Sequence, residues 1–191
     1  RFPTVAGLRR RLSRRASASP FGLRPRVVDV VVPAVLVAWL FLAPLTDDDG
    51  YYSAMSANVP FSGYVSNYFQ LFNQGYTPFS WPYYALSWWE GVVGFGPVML
   101  RLPALVLGIG TWFLARAFVS STPLLGPRGA SAWWAPALAR LALAAAFLAW
   151  WLPYDMGVRP EPVVAFFTVA TLVAVAEGLE RRRLALLGLA V

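Results

Sequence analysis

Four long apolar runs dominate the chain, at residues 27–45, 100–119, 132–152 and 162–178, and a fifth begins at 184. A bilayer-spanning helix needs about 20 consecutive apolar residues. In lipid, every backbone N–H and C=O must be paired internally, so such runs fold as helices. The chain therefore reads as an all-α polytopic membrane protein. Composition agrees, with 58% hydrophobic and only 13% charged residues among 191, where soluble domains carry about 25% charge. So little charge excludes an ordinary cytosolic enzyme, a disordered chain and a coiled coil. Beginning at Arg1 and stopping inside an apolar run, the chain is expected to be a piece of a longer protein.

The chain has no cysteine and no histidine, and all sixteen of its cationic residues are arginine. That excludes a disulfide framework, a Cys/His zinc site, a Ser-His triad and a histidine base within this stretch. Acid–base or metal chemistry here has to use carboxylates.

Residues 1–26 hold eight arginines and no acid, and abut the first apolar run. This is the pattern of a basic cytoplasmic segment that orients the first span. Nucleic-acid binding is the weaker reading, because no aromatic platform is interleaved with the charge. The stretch 79–98, FSWPYYALSWWEGVVGFGPV, is ambiguous between a short span and an interfacial helix. Arginine asymmetry decides. If 79–98 does not cross, 46–99 and 153–161 lie outside, and Arg128 and Arg181–Arg183 lie inside. The prediction is a basic segment at 1–26, a bundle over 27–191, and a juxtamembrane helix at 79–98 anchored by Trp and Tyr. Arg116, near the cytoplasmic side, is expected to snorkel towards water.

Three constellations could carry chemistry. The first is Asp47-Asp48-Asp49-Gly50-Tyr51-Tyr52, directly after the first span. Three adjacent carboxylates repel one another and call for compensation. A divalent cation (Ca, Mg or Mn) held by Asp47 and Asp49 is one solution. A general base for a sugar hydroxyl is a second use, and a solvated helix cap is the bland alternative. The second is Tyr154-Asp155-Met156-Gly157-Val158-Arg159-Pro160-Glu161-Pro162, on the same predicted face. Arg159 could clamp a lipid phosphate, or merely pair with Asp155 or Glu161. The third is an aromatic shelf running from Tyr64 to Trp89, with Asn67 and other amides interleaved, suited to sugar stacking or to headgroup anchoring. Arg101 opens the next span and is expected to neutralise the outer acids. No organic cofactor is expected.

Five blocks in order carry a resemblance. Asp48-Asp49-Gly50-Tyr51 with Met55, Gly63 to Phe69, Pro78-Phe79 with Trp81, Arg101-Leu102-Pro103, and Gly157 to Pro162 resemble the Emb arabinosyltransferases of mycobacteria and their relatives. Those are ethambutol-target enzymes of the GT-C group. The resemblance implies a GT-C-like transmembrane helix bundle whose extracellular first loop bears juxtamembrane helices. It implies plasma-membrane, multi-pass placement with an extracytoplasmic active face. The implied reaction is inverting transfer of arabinofuranose from decaprenyl-phosphate-arabinose to arabinan of arabinogalactan or lipoarabinomannan. The implied partners are the polyprenyl-phosphate sugar, the arabinan acceptor, membrane lipid and a homo- or heterodimeric paralogue.

By position, the resemblance makes Asp48 the catalytic carboxylate and Asp49 its partner. Tyr51, Tyr52, Met55, Asn67, Tyr76 and Trp81 fall at substrate-binding positions, and Arg159 and Glu161 near the donor phosphate. Departures sit at Tyr76, where relatives often carry an acid, at Ala57, where they carry an arginine, and at Asp155-Met156. Two other classes stay open. One is a non-catalytic subunit of such a complex. The other is a lipid-linked sugar transporter, which the near absence of charge inside the spans disfavours.

Overall fold

The structure is a computed structural model and describes residues 26–65, 81–121 and 135–181. Within them the chain forms α1 (Val28–Leu42), α2 (Asp47–Ser62), α3 (Trp81–Val93), α4 (Pro97–Ser121), α5 (Ala135–Trp150) and α6 (Glu161–Arg181). A π-helical turn, Trp151–Asp155, extends α5. Among the described residues there is no strand.

Among the described residues, three segments are long and apolar enough to cross a membrane: Pro97–Val119, Ala137–Asp155 and Glu161–Gly178. The first apolar run departs from expectation. Helix α1 covers 15 residues of it, roughly 22 Å at 1.5 Å per residue. It stops at Leu42, where Ala43 turns extended and donates its N–H to the Trp39 carbonyl. Pro44 follows, and the residue before a proline is steered out of helical conformation. The stretch 79–98 divides as well. Helix α3 has 13 residues, too short to span, and ends at Gly94 with φ +81°. That left-handed conformation suits glycine and lets α4 start afresh at Pro97, where a missing N–H costs nothing.

The bundle is organised around α4, which packs most extensively on α6 and next on α1. Lipid tails are as apolar as leucine, so helix association in a membrane relies on close packing rather than on exclusion of water. Small residues on α4 provide it. A Cβ on Gly108 would lie 2.6 Å from the Trp151 Nε1, and one on Gly110 would lie 2.8 Å from the Phe166 ring. Leu36, Leu40, Leu105, Trp151 and Met156 form the core where α1, α4 and the π turn meet.

The π turn has a local cause. Pro153 lacks an N–H and crowds the carbonyl four residues back, at Ala149, so the helix widens there. Within the turn, the Leu152 carbonyl accepts from Trp39 Nε1 on α1, at 2.9 Å. This bond ties the C-terminal end of α5 and its π turn to α1, and the loop that follows, 156–160, meets α2.

Arg116 does not snorkel. It is 5% exposed and pairs with Asp29 of α1. Asp29 also accepts from the Arg26 backbone N–H at 2.7 Å. In apolar surroundings, pairing with a carboxylate 87 positions earlier in the chain replaces water more cheaply than bending a side chain out of the bundle.

Gly108→Val is expected to destabilise the bundle by about 1–3 kcal/mol, the usual cost of overpacking. Thermal unfolding of the full-length protein in detergent would read this as a lowered midpoint. Val106→Ala is the control: Val106 lies on the same helix and is exposed, so its truncation should shift stability by no more than about 0.5 kcal/mol.

Candidate active site

The acidic triplet is the first turn of α2. Thr46 is the N-cap, and Asp47, Asp48 and Asp49 are the first three helical residues. The Thr46 hydroxyl accepts from the Asp49 N–H at 3.3 Å, and the Asp49 carboxylate accepts from the Thr46 N–H at 3.1 Å. This reciprocal capping box satisfies two orphan donors, and the helix dipole favours negative charge at this end. Asp49 is thus a helix cap, but not the solvated one of the bland reading.

A helix turns about 100° per residue, so consecutive aspartates point in different directions. Asp49 points inward and is 2% exposed. Its Oδ2 receives Arg101 Nη2 from α4 at 3.1 Å. Its Oδ1 receives the Val158 backbone N–H at 2.9 Å. Arg101 in turn donates to the carbonyls of Ala43, at 2.8 Å, and of Pro44, the link between α1 and α2. Of the acids after the first apolar run that Arg101 is expected to neutralise, it pairs with Asp49. Gly157 lies so close that a Cβ there would stand 2.5 Å from Asp49 Oδ1. One carboxylate thereby joins the α2 cap, α4 and the 157–158 loop.

Asp48 points elsewhere. Its side chain is 47% exposed and pairs with Arg159, itself 23% exposed. The bland pairing of Arg159 with Asp155 or Glu161 is not what forms. Asp155 is fully buried, with neither carboxylate oxygen hydrogen-bonded, and Glu161 is exposed in the first turn of α6. A cavity of about 310 Å³ opens beside these groups, bordered by Trp39, Thr46, Asp49, Arg101, Tyr154 and Arg159 among others.

The other expected site residues are dispersed. Tyr52 stacks on Tyr83 of α3 with centroids 5.2 Å apart, and Tyr51 sits edge-on to Tyr52. Met55 is fully buried with Tyr83, Leu86, Leu100 and Val158, in the core beneath the acidic helix. Trp81 borders a separate apolar groove of about 460 Å³ with Pro160, Val163 and Phe167. Asn67 and Tyr76 lie outside the described residues, as does the side chain of Asp47.

The cation expected at Asp47 and Asp49 meets an obstacle at Asp49. Both of its oxygens already accept from protein donors, so a cation there would have to displace Arg101. Among the described residues, no group of three or more His, Cys, Asp or Glu is gathered in metal-binding distance.

Comparison with known proteins places the chain. The sequence model of a family described as mycobacterial cell wall arabinan synthesis protein matches residues 4–191. The chain belongs to that family. It is 34% identical over 164 residues to probable arabinosyltransferase A of Mycobacterium tuberculosis H37Rv, which covers 86% of this chain and 15% of that protein. It is 35% identical over 161 residues to probable arabinosyltransferase C of Mycolicibacterium smegmatis, covering 82% of this chain and 14% of that protein. In three dimensions it matches the cryo-EM structure of arabinosyltransferase EmbB from Mycobacterium smegmatis with a TM-score of 0.73 and 26% identity. That match covers 98% of this chain and 20% of the solved one. The chain thus spans only 14–15% of the length of the two arabinosyltransferase sequences, and it shares the helical GT-C membrane architecture.

Arg101→Ala would leave Asp49 buried and unpaired, which costs about 3–5 kcal/mol. Much of that loss should return in the double variant with Asp49→Asn, read as a coupling energy in a double-mutant cycle on unfolding midpoints. Gly157→Ala should push the loop off Asp49. The lost bond from Val158 to a charged acceptor is expected to cost about 1.5–3 kcal/mol, visible as faster amide exchange at Val158.

Proposed function

We propose that this segment carries the general base of an inverting, polyprenyl-phosphate-dependent arabinosyltransferase that builds cell-wall arabinan on the outer membrane face. The observation that carries the reading is the division of labour between two adjacent carboxylates. Asp49 is consumed by the fold, while Asp48 is half-exposed and held by Arg159, which borders the cavity.

The chemistry follows from that arrangement. A lipid phosphate competes with Asp48 for the Arg159 guanidinium, whose planar fork matches phosphate oxygens. Released from Arg159, Asp48 accepts the proton of the acceptor hydroxyl. The hydroxyl oxygen forms its bond to the anomeric carbon as the bond from that carbon to the phosphate oxygen breaks. The phosphate departs with the electron pair, its charge met by Arg159. Tyr51 and Tyr52, on the helix that carries Asp48, and Trp81, at the separate groove, offer aromatic faces for the sugars, and Glu161 is assigned to the donor end. The lipid chain of the donor lies in the bilayer. The eight arginines ahead of α1 support a cytoplasmic start and hence an outer site. The name of the relatives supports the sugar, and a paralogous second subunit belongs to the same proposal.

The test is transfer of radiolabelled arabinose from decaprenyl-phosphate-arabinose to a short arabinan acceptor by membranes carrying the full-length protein. Asp48→Ala is expected to lower transfer by about 10²–10⁴-fold, the usual share of a positioned base, with insertion unchanged. Undiminished transfer by a folded Asp48→Ala protein would overturn the assignment. No transfer by the native protein would favour a non-catalytic subunit.

A further inference from the structure

Glu90 has no part in the chemistry above, and its setting is unusual for an acid. It lies on α3, 2% exposed, beside the buried cluster of Met55, Tyr83, Leu86 and Leu100. Ser53 of α2 donates its hydroxyl to Glu90 Oε1 at 2.9 Å, across the α2–α3 contact. Glu90 Oε2 is buried with no hydrogen-bond partner. The charged groups on the described elements packed around it are committed to each other: Asp49 to Arg101, and Asp48 to Arg159. Those elements also carry Arg116 of α4, which pairs with Asp29; Asp47 in the first turn of α2, whose side chain lies outside the described residues; and the tyrosines Tyr51 and Tyr52 on α2 and Tyr83 and Tyr84 on α3. Among the described residues, an ionised carboxylate in that position would face neutral donors and no cation, a costly state in apolar surroundings.

We infer that Glu90 is carried as a neutral carboxylic acid and acts as a positioning residue, holding the acidic helix α2 against α3 through Ser53. Ser53 stands one turn beyond Asp49 on the same helix. The bond between Ser53 and Glu90 therefore sets the rotation of the turn that presents Asp48 to Arg159. Burial pushes the Glu90 carboxyl from 4.5 up to about 7, and the Ser53 and Ser56 hydroxyls draw it back only in part. The sign follows from the raised value. The stabilisation is complete below the unfolded pKa of 4.5 and is lost as pH rises through about 7. Above that point the unpartnered oxygen carries charge, and α2 and α3 have to part or admit water.

For the placement of α2 this inference stands alone; for Asp48 it rests on the arabinosyl-transfer reading. Infrared difference spectra of the full-length protein, taken on either side of pH 7, test the first part. A protonated-carboxyl band should disappear through about pH 7 in the native protein and be missing from that difference in Glu90→Gln. In Ser53→Ala, which removes a donor that favours the ionised form, the same band should persist to higher pH. Transfer assays test the second part. Native transfer should fall as pH passes the midpoint, while Glu90→Gln, a neutral isostere that still accepts from Ser53, retains it. An identical infrared titration in native protein and Glu90→Gln would overturn the inference, as would an unmoved midpoint in Ser53→Ala. So would loss of transfer in Glu90→Gln at every pH. A band that titrates as expected in a protein with no transfer would overturn the enzymatic reading and leave the positioning of α2 standing.

Discussion

A single buried carboxylate, that of Asp49, holds one end of this bundle together. It caps its own helix, neutralises Arg101 on α4 and receives a backbone N–H from the 157–158 loop. Remove the charge and three separate chain segments lose their common anchor. Arg101 extends the connection by gathering the two carbonyls that follow α1. These carbonyls sit where a proline interrupts the helix, so they have no partners within their own segment. The half-exposed pair of Asp48 and Arg159 exists because this anchor brings the start of α2 to the end of the π turn.

Charge elsewhere in the described bundle obeys the same economy. Asp29 and Arg116 pair across α1 and α4 near the opposite end. Both pairs link α4 to the segments around α1, so α4 is tied to them at two levels about fifteen residues apart along its length. Glycines at 108 and 110 sit between these levels and let aromatic rings of the π turn and α6 close against the same helix. Buried ion pairs are costly to desolvate, yet breaking one is costlier still. They therefore specify one register of the helices more than they add to net stability.

Much of the architecture was legible in the chain because lipid allows so few solutions. Apolar runs at 100–119 and 162–178 became helices at those places, as did the described part of the run at 132–152, and the described part of the aromatic stretch at 79–98 holds a helix too short to cross. The early end of α1 was written in Pro44 but outweighed by the apolar residues on both sides of it. The fate of Arg116 was not legible, because its partner lies 87 positions away and only packing of α1 on α4 brings Asp29 to it. Met55 and Trp81 show the same limit. Their positions in the motif say nothing about whether a side chain faces a cavity, a groove or the core.

What the sequence by itself determined is the helical membrane architecture, the family, and the concentration of acids after the first apolar run. These depend on local composition and on the order of short blocks. What only the tertiary structure decided is which aspartate does what. Asp48 and Asp49 are chemically identical neighbours, and the capping geometry of Thr46 favours Asp49 as a cap without excluding other roles. The choice comes from the helix rotation, which turns Asp49 towards Arg101 and Val158 and leaves Asp48 half-exposed and facing Arg159. The same packing sets Glu90 apart from the cations of the described bundle. A residue's surroundings, and with them its proton affinity and its use, are set by partners that are distant in the chain and adjacent only in the fold.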